Sequence, residues 1–113
     1  MPNQQQRQLD RVFHALGDPT RRAVIRRLGQ GPAPVSELAR PFKMALPSFM
    51  QHLAALEKCG LVRSRKTGRV RTYQLQPKPL KAAEKWMVEQ RALWEARLDR
   101  LDDYLLQMKE REK

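Results

Sequence analysis

Cysteine occurs once in this 113-residue chain, at Cys59, so no disulfide can form within it, and a reducing compartment is the expected setting. Histidine occurs twice, at His14 and His52, with no metal-ligand spacing between them. There is no Ser-His-acid set and no glycine-rich phosphate loop, which argues against an enzyme. No stretch approaches the roughly 18 apolar residues of a membrane span. The opening "MPNQQQRQLDRVF" lacks the apolar segment of a secretory signal. These absences predict a soluble cytoplasmic protein with no membrane partner, metal or cofactor. With 41% apolar residues, the length suits one domain, residues 1–113, with a modest core.

Acids are scarce too, but only in part of the chain. Residues 1–79 hold 15 Lys and Arg against Asp10, Asp18, Glu37 and Glu57, while residues 80–113 hold 8 against 8. The whole net charge of +11 therefore lies in the first two thirds. A basic body joined to a charge-balanced segment suits a polyanion-binding unit with a protein-contacting element. The run "VRSRKTGRVRTYQL", residues 62–75, concentrates the cations and contains no acid.

The apolar spacing predicts a helix over 5–16, with Leu9, Val12, Phe13 and Leu16 on one face. "GDPTRRAVIRRLGQG" predicts a second over 19–29, capped by Asp18, opened by Pro19 and closed by the glycines. Its Ala23, Val24 and Leu28 form the stripe while Arg21, Arg22, Arg26 and Arg27 stay in water. A short helix follows over 35–41, then another over 46–59 ending at Gly60. Phe49 or Met50, Leu53 and Leu56 share the apolar face of the latter; Ser48, Gln51, His52, Ala55 and Lys58 share the other. Two short helices joined in this way, the second exposing small polar groups near its start, form a helix-turn-helix.

Residues 61–76 alternate as a hairpin with Gly68 in the positive-φ turn position. Tyr73 and Leu75 anchor one end and the arginines crowd the other. The order α-α-α-α-β-β-α is mostly helical with a small β-hairpin, a winged helix-turn-helix. The closing helix, 79–110, repeats Leu80, Met87, Trp94, Leu101 and Met108 every seven residues, joined by Leu98 and Leu105. A stripe this long exceeds what a body of about 80 residues can cover, so it predicts pairing with another copy. Leu9, Phe13, Met87, Trp94, Leu98, Leu101 and Leu105 are the expected homodimer contacts.

"HALGDPTRRAVIRRL", "SELA" and "PSFMQHLAALEKCGLVRSRKTGRVRTYQL" resemble the ArsR/SmtB winged-helix repressors over residues 8–76. The resemblance implies a homodimer on a pseudo-palindromic, double-stranded operator, repressing transcription and often its own operon. Metal-sensing members carry a Cys-x-Cys ligand set before the recognition helix, or His and acidic ligands on the last one. Here "VSELARPFKMA" has no Cys or His, and residues 80–113 have no His, so the non-metal-sensing branch is expected. The sequence names no inducer; an unidentified small molecule is compatible with it.

Sequence discrimination is expected from Ser48, Gln51 and His52 in the major groove, Gln51 being able to read adenine with two hydrogen bonds. Arg65, Lys66 and Arg69, supported by Arg71 and Lys43, are expected on phosphates or in the minor groove. His52 fits either a phosphate contact or a structural hydrogen bond, and Ser48 either a base contact or a cap. Cys59 reads as a packing residue. The competing function is an architectural or nonspecific nucleic-acid-binding winged helix.

Overall fold

The computed structural model describes residues 3–112. Its elements run α1 (Gln4–Leu16), α2 (Pro19–Leu28), β1 (Ala33–Pro34), α3 (Val35–Ala39), α4 (Leu46–Lys58), β2 (Val62–Thr67), β3 (Val70–Leu75) and α5 (Pro77–Arg111). The fold is mostly helical with a small antiparallel sheet, a winged helix-turn-helix with a long C-terminal helix. Two compact units divide the chain, residues 1–83 and residues 84–113.

Local chemistry accounts for the helix ends. Asn3 starts α1 with a capping box: its side chain accepts from the Gln6 N–H at 2.8 Å, and the Gln6 side chain accepts from the Asn3 N–H at 3.3 Å. Asp18 caps α2 by accepting from the Arg21 N–H at 3.0 Å, and Pro19 fills a position whose N–H has no helical partner. The third helix stops at Ala39 rather than running to residue 41, because Pro41 has no N–H to continue the ladder. Gly60, at φ +83°, turns the chain out of α4; a Cβ there would sit 3.2 Å from the Gln8 side chain and 3.4 Å from Pro79. In α5, Pro77 and Pro79 occupy the first turn, where helical N–H groups have no partner to lose.

The sheet has one more strand than the hairpin read from the sequence. Strand order is β1-β3-β2, with Ala33 opposite Tyr73 and Pro34 opposite Thr72. Nothing in "GPAPVS" marks Ala33 and Pro34 as a strand, and only the free edge of β3 makes them one. A proline there is tolerated because the outer edge needs no donor. The hairpin itself is tight: Thr67 faces Val70, and Gly68, at φ +64°, lies in the two-residue turn.

The core of the first unit is built from all of these elements. Val12 and Ala15 of α1, Val24 and Leu28 of α2, and Leu38 of α3 meet Phe49, Leu53 and Leu56 of α4. Leu61, Val62 and Tyr73 close it from the sheet side. On α4 the apolar face contains Phe49, which is buried and stacks its ring on Phe42 at 5.5 Å, whereas Met50 is half-exposed. Cys59 is buried and its thiol donates to the Leu56 carbonyl at 3.3 Å, a packing role. On α2, Arg22 and Arg26 are exposed, but Arg21 and Arg27 are half-buried. Arg27 pairs with Glu37 at 2.9 Å, holding α2 against α3.

The second unit is a single helical segment, the rest of α5. Met87, Trp94, Leu98, Leu101, Leu105 and Met108 are all exposed. No helix among the described residues is long and apolar enough to cross a membrane.

Candidate nucleic-acid interface

The exposed surface of α4 begins where the helix has most to offer a polar ligand. Its N-cap is Ala45, with no side-chain cap, so Ser48 keeps its hydroxyl out of any capping bond. The first N–H groups of a helix lack internal partners and carry the positive end of its dipole. Leu46, Pro47, Ser48 and Gln51 all lie exposed at this end, Leu46 at 56%.

His52 is tied to α2. Its Nδ1 accepts from the Arg21 Nε at 3.1 Å, and the same nitrogen lies 3.7 Å from an Asp18 carboxylate oxygen. Nδ1 is the nitrogen engaged in this bond, and Nε2 takes no part in it. The phosphate contact and the structural bond expected as alternatives for His52 do not compete for one atom: the structural bond uses Nδ1 alone. Arg21 is thus bonded to His52, although the helical spacing predicts that it stays in water.

Asp18 links both helices. Burial by itself would raise its carboxyl, but the Arg21 N–H, the nearby His52, the Thr20 N–H and the Arg21 charge together hold it below the ordinary 3.8. A carboxylate with a lowered folded-state value stabilises the fold above its unfolded value, and that contribution disappears as pH falls through the folded one. Asp18→Ala is expected to cost about 1 kcal/mol at neutral pH, as the loss of an N-cap does. Urea midpoints of variant and wild type should converge below the carboxylate range; a gap that persists in acid would contradict the capping role.

The wing carries its cations on two faces. Pairing places Arg63 opposite Gln74 and Arg65 opposite Thr72, while Lys66 lies opposite Arg71. Because side chains alternate along a strand, Arg65 and Lys66 point to opposite sides, although the sequence groups them at one tip. Arg63, absent from the expected contacts, shares the face of Arg65; the period-2 alternation of the strand was the signal that would have found it. Lys66 and Arg71 form a like-charge cross-strand pair, which by itself is unfavourable.

A hydrogen-bonded chain fixes the wing to α4. Arg71 donates to the Ser64 hydroxyl at 2.8 Å, and that hydroxyl donates to the Glu57 carboxylate at 2.6 Å, with the Ser64 N–H adding a 3.3 Å bond. Burial, and then the Glu57 charge, raise the Tyr73 phenol against the opposing effects of Arg71 and Ser64, so it stays neutral. Arg71 therefore bridges the two strands of the hairpin at the residue that joins it to α4. Lys43 is exposed in the turn between α3 and α4, and Arg69 at the tip of the wing.

The expected dimer residues fall into two sets. Leu9 and Phe13 are half-buried against the core of the first unit. The α5 residues lie open, from Met87 at 49% to Trp94 at 63%. No group of three or more His, Cys, Asp and Glu residues able to hold a metal ion is gathered among the described residues.

A helix-turn-helix held under a basic hairpin defines the winged-helix class of DNA-binding proteins, and comparison with known proteins supplies the family. Residues 16–65 match a helix-turn-helix domain family. The HTH-type transcriptional regulator Rv2034 of Mycobacterium tuberculosis is 47% identical over 73 residues, 65% of this chain and 68% of the relative. The crystal structure of the ArsR family transcriptional regulator RHA00566 superposes with a TM-score of 0.76 at 57% identity, covering 79% of this chain and 92% of that one. The homodimeric winged helix-turn-helix DNA-binding domain of Mb0332 from Mycobacterium bovis superposes at 0.59 with 28% identity, over 76% of this chain and 82% of that domain. The chain belongs to the ArsR family of transcriptional regulators.

Proposed function

We propose that the protein is a cytoplasmic homodimeric repressor, residues 1–113 acting as one functional domain, that binds a pseudo-palindromic operator in its own promoter. One observation carries this reading: α4, whose start is uncapped and exposed, is hydrogen-bonded through Glu57 to a hairpin whose cations include a directly opposed pair. In the complex, Ser48 and Gln51 read base edges, Gln51 suiting adenine, and Leu46 suits a thymine methyl. His52 donates from Nε2 to a phosphate. Arg65, Lys66 and Arg69, with Lys43 and Arg71 in support, supply the sequence-independent grip. Leu9, Phe13, Met87, Trp94, Leu98, Leu101 and Leu105 contact the second copy, in keeping with the homodimeric Mb0332 domain. Repression is in keeping with the family.

The test is anisotropy titration of the promoter duplex of its own gene against a scrambled duplex at one fixed salt concentration. A specific-over-nonspecific ratio of about 10³ or more is expected. Equal affinities would replace this reading with that of an architectural, nonspecific binder.

A further inference from the structure

A cleft of about 430 Å³ opens between α1, α2 and α4 on the flank of α4 away from the wing. Arg11 and His14 of α1, Arg21 of α2 and Lys58 of α4 line it, with Asp10 as its one acid and Ala15, Ala55 and Cys59 completing the lining. Among the described residues, neither Arg11 nor Lys58 has an acid within ion-pair distance. Three cations line it against one carboxylate, and although the Arg21 charge is shared with Asp18, Arg11 and Lys58 leave it with an excess of positive charge that favours an anion.

Its placement says which anion. Ser48, His52, Ala55 and Lys58 are spaced by three and four, so they share one side of α4. The cleft thus continues the reading face toward the C-terminal end of the helix. Glu57, bonded to Ser64 of the wing, points to the other flank. The exposed face of α4 is therefore bounded by two basic surfaces. A helix lying in the major groove has a phosphate strand on each side, and the wing accounts for only one of them. At 3.6 residues per turn, Asp10, Arg11 and His14 lie on a different side of α1 from Leu9 and Phe13.

We propose that this cleft is a second phosphate-binding site, gripping the operator strand opposite the one held by the wing. This rests on the reading of the protein as a DNA-binding regulator. Arg21 makes the site more than an anchor: the guanidinium that borders the cleft also holds His52. A phosphate seated there lies beside the group that sets which His52 nitrogen faces the groove, which joins backbone grip to base reading.

The test compares an Arg11→Ala/Lys58→Ala double variant with wild type on specific and scrambled duplexes across a salt series. Each lost phosphate contact lowers the slope of log K against log salt by about 0.9, so a fall of about 1–2 is expected on both duplexes, with the base preference retained. Arg69→Ala is the positive control from the wing. Lys85→Ala/Arg100→Ala, which removes the same charge from α5, is the control for net charge alone. A cleft variant that does no more than the α5 control overturns the proposal. Millimolar inorganic phosphate provides a second arm, read from the Ala55 and Lys58 amide signals. Variant-sensitive shifts there without a change in salt slope would assign the cleft to a free anion and overturn the duplex assignment. Wild-type protein that binds no duplex would sink the functional reading as well; wild-type binding with an unaltered slope in the variant sinks only the cleft.

Discussion

Replacing both Leu98 and Leu105 with glutamate is expected to convert the protein to a monomer and to lower operator affinity by about 10²–10⁴. The reason lies in the spacing of the exposed apolar residues of α5. Trp94, Leu98, Leu101, Leu105 and Met108 follow one another by four, three, four and three, the seam of a coiled coil. Every one of them is exposed, from 43% at Met108 to 63% at Trp94. So much contiguous apolar area on one stripe marks an interaction surface. A second copy fits its chemistry, because the flanks carry both signs: Glu95 and Asp102 on one side of the seam, Arg97 on the other. Two glutamates in the middle of the seam would face their symmetry mates across a desolvated interface, a cost that separation relieves. The affinity then falls for a geometric reason. A dimer that has engaged one half-site meets the second at an effective concentration in the millimolar range, and a monomer forfeits that advantage. The core of residues 12–83 contains neither leucine, so the winged helix should stay folded, which one-dimensional NMR would show. Light scattering that still reports a dimer, or a monomer with wild-type affinity, would refute the pairing through this stripe.

What could be read before the structure, and what could not, follows the range of the interactions concerned. The start of α2 is written in adjacent residues: Asp18 supplies the cap and Pro19 the first turn, and the cap bond is present at 3.0 Å. Gly68 similarly marks a turn through its own backbone freedom. The heptad spacing of α5 is equally local, and the exposure of the stripe agrees with it. Strand β1 is different, since nothing in "AP" favours an extended pair until Tyr73 and Thr72 provide the edge. The Arg21–His52 bond joins residues 31 apart, and the Arg71–Ser64–Glu57 chain joins both strands of the wing to a helix. Pairings of that kind depend on how elements pack, which periodicity does not report. The division of the wing cations is an intermediate case: strand alternation implies that Arg65 and Lys66 diverge, but reading the run as one basic tip hides it.

Leu53→Ala is expected to destabilise the winged helix by about 2–5 kcal/mol, the cost of a large cavity in a packed core. Leu53 is fully buried at 0% exposure, two residues from Gln51, which is exposed. It belongs to a core shared by α1, α2, α3, α4 and the sheet, so truncation weakens the packing that holds α4 in place. Domains of this size have a total stability of about 5–15 kcal/mol, and a loss of this order removes a large share of it. Gln51→Ala should do the reverse. A surface substitution of this kind stays within about 0.5 kcal/mol of wild-type stability, while the loss of a two-bond contact to adenine costs about 1–3 kcal/mol of discrimination at one base pair. Urea unfolding and anisotropy on matched and mismatched duplexes measure the two quantities separately. Opposite faces of one helical turn thus predict opposite signatures, stability without base preference at Leu53 and base preference without stability at Gln51. If Gln51→Ala weakened matched and mismatched duplexes by the same factor, α4 would be touching the backbone at that point, and the choice of site would have to come from Ser48, Leu46 or the shape of the duplex.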